Sequence, residues 1–216
     1  MKNQVIEAID KNKIVAILRN IDSDKLVDTV QALYEGGIRL VEVTYSADGT
    51  VSDEETAANI RLLSEKFKDR MFVGAGTVLT PEQVKLTAEN SGTFIISPDT
   101  NKEVIEMTKK LSLVSMPGAL TPSEITAAHR YGADYIKLFP ITNMGPEYVK
   151  AIAAPLSHIK FIAVGGIDQN NMADYLKAGV CGFGIGSNIT NKKMIAEKNY
   201  EALTNLAKEY VEVIEK

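Results

Sequence analysis

Three side chains stand out because their chemistry is at odds with their neighbours. Lys137 lies within Tyr135-Ile136-Lys137-Leu138-Phe139-Pro140, Glu42 within Leu40-Val41-Glu42-Val43-Thr44, and Arg19 closes Ile17-Leu18-Arg19-Asn20. A charged residue inside an apolar run is expensive to bury unless it is paired or put to use. A free lysine titrates near pH ~10.4, so only about one in a few thousand is neutral at pH 7. An apolar pocket disfavours the ammonium, and a neighbouring cation such as Arg19 disfavours it further. Together these would make Lys137 a neutral amine able to attack a carbonyl and form a Schiff base. Glu42, facing the same space, could pair with it or shuttle protons. Arg19 could hold a carboxylate through two parallel hydrogen bonds. Each residue has a plainer alternative. Lys137 could point outward and salt-bridge a helix, Glu42 could be a structural counter-ion, and Arg19 could be a surface arginine at a strand end.

These residues fall at regular places in a repeating pattern. Eight short apolar, β-rich runs recur: Ile14–Leu18, Arg39–Val43, Phe72–Val73 with Gly74-Ala75-Gly76, Phe94–Ser97, Leu113–Met116, Tyr135–Phe139, Phe161–Val164 and Gly182–Gly186. Most are too apolar to alternate, as expected of parallel strands covered on both faces. Amphipathic stretches with capping signals separate them. Asp22-Ser23-Asp24 precedes Lys25–Tyr34, Thr80-Pro81-Glu82 and Thr121-Pro122-Ser123-Glu124 place proline at a first helical position, and Gly132 and Gly179 follow helical stretches. Eight strand-then-helix units predict a (β/α)8 TIM barrel spanning residues 1–216 as one domain. Lys2–Lys11 forms an extra N-terminal helix that could cover the barrel floor. The competing architecture, an open doubly wound sheet, lacks its G-x-G-x-x-G fingerprint after the first strand.

In such a barrel the active site lies at the C-terminal strand ends. Those ends carry Arg19, Glu42 with Thr44, Gly76-Thr77, Ser97-Pro98, Pro117-Gly118, Lys137 with Phe139-Pro140, Gly165-Gly166 and Gly186-Ser187. Glycine-freed amides after the seventh and eighth strands, with a helix N-terminus, can cradle an anion, and barrels frequently hold phosphate there. Glycines at tight turns need no ligand, so this signal gains weight only from its position.

The 216-residue chain has a net charge of −4, with both signs interspersed and no long basic block, which argues against nucleic acid. No signal-peptide core opens it, and Ile14–Leu18 is too short to cross a bilayer. Cys181 is the only cysteine, which suits a reducing cytoplasm. His129 and His158 show no metal-ligand spacing, which argues against a zinc or non-haem iron site, and no cofactor is expected.

Six ordered motifs carry a specific likeness: Leu40-Val41-Glu42-Val43-Thr44, Gly74-Ala75-Gly76-Thr77-Val78-Leu79, Ile96-Ser97-Pro98, Met116-Pro117-Gly118, Ile136-Lys137-Leu138-Phe139-Pro140 and Val164-Gly165-Gly166-Ile167. From about Ile14 to Ser187 the chain resembles the 2-keto-3-deoxy-6-phosphogluconate and 4-hydroxy-2-oxoglutarate aldolases. The resemblance implies a metal-free class I aldolase, usually a homotrimer, that cleaves a 2-keto acid to pyruvate and an aldehyde (glyceraldehyde 3-phosphate or glyoxylate). It implies Lys137 as the Schiff-base lysine and Glu42 as the general acid/base. It places Arg19, Thr77, Pro98 and Phe139 around the pyruvate, and Gly165, Gly166, Gly186 and Ser187 around a phosphate.

Three departures bear on specificity. Ser46 stands where the gluconate-type enzymes often have arginine. The loop Ser46–Thr56 is longer and more acidic than usual, and is expected at the barrel mouth. Val164 precedes Gly165-Gly166 where gluconate-specific members commonly have threonine, while galactonate-type members resemble this chain in having valine. A valine cannot hydrogen-bond a substrate hydroxyl, which predicts relaxed or galactonate-leaning selectivity at C4. Two other functions compete. A different phosphate-binding barrel isomerase or synthase would have no need of a strand-embedded lysine. A non-catalytic sugar-phosphate sensor would bind without turnover.

Overall fold

In a computed structural model, which describes residues 1–215, the β-rich runs become parallel strands. In chain order these are β1 (Ile14–Leu18), β2 (Leu40–Thr44), β3 (Phe72–Gly76), β4 (Phe94–Ile96), β5 (Val114–Met116), β6 (Gly118–Ala119), β7 (Ile136–Leu138), β8 (Phe161–Val164) and β9 (Val180–Ile185). They lie side by side in the order β5-β4-β3-β2-β1-β9-β8-β7-β6. The two ends of that order, β5 and β6, are consecutive in the chain and separated only by Pro117. The order therefore closes on itself as a barrel.

Proline has no N–H to give to a ladder, so the fifth run ends at Met116 as β5, and pairing resumes beyond Pro117 as the short β6. Closure survives on neighbouring groups. Tyr135 N–H donates to Ser115 O at 3.2 Å, Lys137 N–H to Pro117 O at 2.9 Å, and Phe139 N–H to Ala119 O at 3.2 Å. The eight expected strands are thus all present, with the unexpected two-residue β6 added after the fifth. The last begins at Val180, two residues before its expected start.

The helices are α1 (Lys2–Asn12), α2 (Ser23–Glu35), α3 (Asp53–Lys66), α4 (Pro81–Glu89), α5 (Lys102–Lys110), α6 (Pro122–Tyr131), α7 (Gly145–Ala153), α8 (Met172–Ala178), α9 (Lys192–Ala196) and α10 (Tyr200–Glu215). The expected caps form. Thr80 accepts from Gln83 N–H, and Thr121 and Glu124 make a reciprocal capping box. One expectation is corrected. The acidic stretch read as a loop to Thr56 becomes helical at Asp53, because Ser52 caps α3 and Asp53, Glu54 and Glu55 suit the positive end of its dipole.

Two apolar layers result. One fills the space between strands and helices, with Val41, Ile60, Leu63, Ile125 and Leu203. The other lies inside the barrel, where Val15, Leu40, Phe94, Val114 and Ile162 meet Val5 and Ile9 of α1. Burying each of those two α1 side chains contributes roughly 1.5–3 kcal/mol. Helix α1 therefore closes the floor, as its position in the sequence suggested. Polar contacts fix it there. Tyr135 Oη donates to Asp10 Oδ1 at 2.8 Å, and Lys160 Nζ meets Asp10 Oδ2 at 2.7 Å.

Candidate active site

Above that floor, period-two alternation turns Glu42 on β2 and Lys137 on β7 into the barrel interior. Lys137 is only 6% exposed and Glu42 only 2%. Burial holds the Lys137 amine below its ordinary range, with the Arg19 guanidinium acting in the same direction and the Glu42 carboxylate opposing. Burial holds the Glu42 carboxyl above its ordinary range, against the pull of Lys137 and Arg19. Desolvation dominates at both, so each is driven toward its neutral form. No Lys137–Glu42 ion pair within 4.0 Å occurs among the described residues. Of the two roles the sequence left open, direct pairing is absent, and the two groups are coupled electrostatically at longer range.

Glu42 Oε2 is buried without a hydrogen-bond partner. A buried carboxyl oxygen left unsatisfied costs about 1–3 kcal/mol, which marks it as a group kept for something other than stability. Space for the carboxyl comes from Gly76, since a Cβ there would collide with Glu42 Oε1.

A cavity of about 670 Å³ opens from Lys137 to the top of the barrel. Arg19, Lys137, Phe139, Val164, Gly165, Gly166, Gly186 and Ser187 all line it, so eight of the sequence-derived site residues converge. Beneath it, a small apolar space of about 10 Å³ is bounded by Glu42, Met116 and Ile162. Ile17, Lys137, Val164 and Gly184 line both spaces. Lys137 thus stands where the open cavity meets the interior that holds Glu42. Its Nζ lies 4.6 Å from the centre of the Phe139 ring, whose peptide to Pro140 is cis.

Other sequence-derived residues stand back from the cavity. Thr77, at φ 56°, accepts from Arg19 Nη2 at 3.5 Å and so orients the guanidinium. Pro98 follows β4 by two residues and lies against the β5–β6 break, where a Cβ on Gly118 would collide with its carbonyl oxygen. Ser46 lies outside the lining. Its hydroxyl donates to Asp48 Oδ1 at 2.5 Å and lies 2.9 Å from Thr50 Oγ1. Those contacts help to hold the Asp48 carboxyl at about 2, with the Ser46 bond the largest cause. The serine is spent on its own loop.

The glycine cradle also differs in one detail. Gly165 and Gly166 adopt φ values of 105° and 69°, a region that favours glycine. Gly186 begins a turn closed by Ile189 N–H and Thr190 N–H on Gly186 O, each at 2.9 Å. The helix N-terminus expected directly after Ser187 is therefore a turn, and α9 starts only at Lys192. Three charged wall residues carried no local signal. Asp22, Lys25 and Lys192 all line the cavity, and Lys25 Nζ is locked to Asp22 Oδ2 at 2.6 Å.

A family model described as KDPG and KHG aldolase matches residues 5–206. The chain belongs to the KDPG and KHG aldolase family. A 2-dehydro-3-deoxy-6-phosphogalactonate aldolase of Escherichia coli (strain K12) is 32% identical over 206 residues, covering 95% of this chain and 98% of that one. A 2-dehydro-3-deoxy-phosphogluconate aldolase of Haemophilus influenzae is 29% identical, with 98% and 97% covered. In structure, the KDPG aldolase of Legionella pneumophila, solved with pyruvate captured as a covalent carbinolamine, superposes with a TM-score of 0.83 at 27% identity, covering 93% of this chain and 95% of that one. This aldolase is therefore a carbon–carbon lyase on an α/β barrel. Both sugar-acid epimers occur in the names of its relatives.

Proposed function

We propose that Lys137 forms the Schiff base of a pyruvate-yielding class I aldolase acting on a 2-keto-3-deoxy-6-phospho sugar acid, with the galactonate-type epimer favoured. The observation that carries the role is the buried amine at the cavity floor, driven toward neutrality beside a buried carboxyl with one oxygen unsatisfied. A neutral amine and a protonated carboxyl are the pair that carbonyl addition requires.

Lys137 Nζ adds to the C2 ketone. Glu42 delivers a proton to the carbinolamine oxygen as water leaves, and the iminium draws electrons from the C3–C4 bond once the C4 hydroxyl has lost its proton to Glu42. The aldehyde departs, the enamine carbon is reprotonated, and water hydrolyses the iminium to pyruvate and free Lys137. Arg19 holds the substrate carboxylate, oriented by Thr77. Phe139 and Pro98 shape the pyruvate side, and the amides of Gly165, Gly166, Gly186 and Ser187 receive the phosphate. Val164, buried at the junction of the two spaces, offers a methyl surface where a hydroxyl would be needed to select the gluconate epimer. Ser46 then acts only through its loop.

The test is pyruvate with borohydride, followed by mass spectrometry. A reduced pyruvyl adduct on Lys137 is expected, together with faster cleavage of the galactonate-type acid in a side-by-side panel. An adduct on another lysine, or none, overturns the Lys137 assignment and revives the isomerase or sensor reading. Faster cleavage of the gluconate epimer overturns the Val164 argument alone. The reading includes a homotrimer of single-barrel chains in the cytoplasm. It rests on the family resemblance and the lone cysteine, and light scattering on the purified chain tests the trimer. No helix among the described residues is long and apolar enough to cross a membrane.

A further inference from the structure

We propose that Lys192 is a specificity residue that makes this enzyme select a phosphorylated substrate, by giving the distal end of the cavity a cation of its own. The proposal rests on the aldolase reading and deepens it.

Five charged side chains line the cavity: Arg19, Asp22, Lys25, Lys137 and Lys192. Lys137 is the buried amine. Asp22, the one carboxylate in the lining, is neutralised by Lys25 at 2.6 Å, so it does not repel an incoming anion. Arg19 and Lys192 remain, and neither makes an ion pair among the described residues.

These two cations serve different ends. Arg19 leans toward β3 through Thr77 and acts electrostatically on both Lys137 and Glu42, so it belongs with the reacting carbons. Lys192 opens α9, on the segment that continues from the Gly186–Thr190 turn, so it belongs with the glycine amides. A 2-keto-3-deoxy-6-phospho acid has an anion at each end, and the cavity offers one unpaired cation for each. Nothing at Ser46 supplies a charge, since its hydroxyl is committed to Asp48 and Thr50. Lys192 provides from the end of the barrel sequence a charge that the second loop does not.

The test compares wild type with Lys192→Gln and Lys192→Arg on two readouts. The first is kcat/KM for a 2-keto-3-deoxy sugar acid with and without its 6-phosphate. The second is binding of inorganic phosphate to the whole chain, followed by phosphorus NMR. For Lys192→Gln, the phosphorylated acid should lose about fivefold in kcat/KM through KM, a change typical of one exposed ion pair. The unphosphorylated acid should be unaffected, phosphate binding should weaken by a similar factor, and Lys192→Arg should stay near wild type. Equal losses on both acids, or unchanged phosphate binding, overturn the proposal and leave the aldolase reading intact. Lys192-dependent phosphate binding in a wild type that cleaves neither acid supports the phosphate role and overturns the aldolase reading.

Discussion

Replacing Gly76 with alanine tests whether the glycine exists to make room for Glu42. The backbone at Gly76 is compatible with alanine, since it lies at the end of β3 outside the positive-φ positions. The obstacle is packing alone. A Cβ there would collide with Glu42 Oε1, come within 2.6 Å of Glu42 Cδ, and sit 3.1 Å from Thr44 Cγ2. The carboxyl is enclosed and cannot swing into solvent, so either it turns or β3 moves. Overpacking of this kind costs about 1–3 kcal/mol, equivalent in a chain of this length to a fall in Tm of roughly 2–12 °C. Moving a catalytic carboxyl by about an ångström lowers turnover by around a hundredfold. The decisive assay is a double-mutant cycle read by thermal unfolding. In a Glu42→Ala background the colliding atoms are gone, so G76A should lose most of its penalty. A penalty that persists undiminished, or a G76A enzyme with wild-type turnover, refutes the reasoning.

Lys137→Met should abolish borohydride trapping with pyruvate and raise unfolding stability by roughly 1–2 kcal/mol, because the buried amine is retained at the expense of the fold. Its folded pKa is lowered, so wild-type stability should rise with pH toward the ordinary lysine range, and this slope should flatten in the variant. Glu42→Gln should lower kcat by about a hundredfold or more. The Glu42 carboxylate raises the Lys137 pKa, so its loss should move the acid limb of adduct formation to lower pH, and a shift to higher pH would refute the coupling. Val164→Thr places a hydroxyl where the side chain is 6% exposed. It should destabilise by about 1–3 kcal/mol and shift the epimer ratio toward gluconate by about tenfold, as read in paired cleavage assays.

Lys137 and Glu42 were legible because an apolar strand makes an ionisable residue conspicuous, and because residues at strand ends share one face of a barrel. The floor helix was legible from its place ahead of the first strand. The wall formed by Asp22, Lys25 and Lys192 was not. Each looks like an ordinary surface residue, and only closure of the barrel brings the start of α2 beside the start of α9. The local partners of Ser46 were not legible either. Spacing from Glu42 put it near the mouth, but a hydroxyl next to Asp48 finds a local partner first. Pro117 was legible as the end of the fifth strand, but that pairing resumes beyond it depends on carbonyls that β7 reaches from the other side.

The sealed floor also governs the order of events. With α1 packed beneath the interior and Tyr135 tied to Asp10, Lys137 is reached from the cavity that the substrate itself would fill. On the aldolase reading proposed above, an aldehyde still in place would stand between the new enamine and the solvent outside. The water that frees pyruvate follows the departing aldehyde inward. A vessel open at one end would thus make hydrolysis wait for release, and it would leave the same intermediate open to an aldehyde arriving from outside.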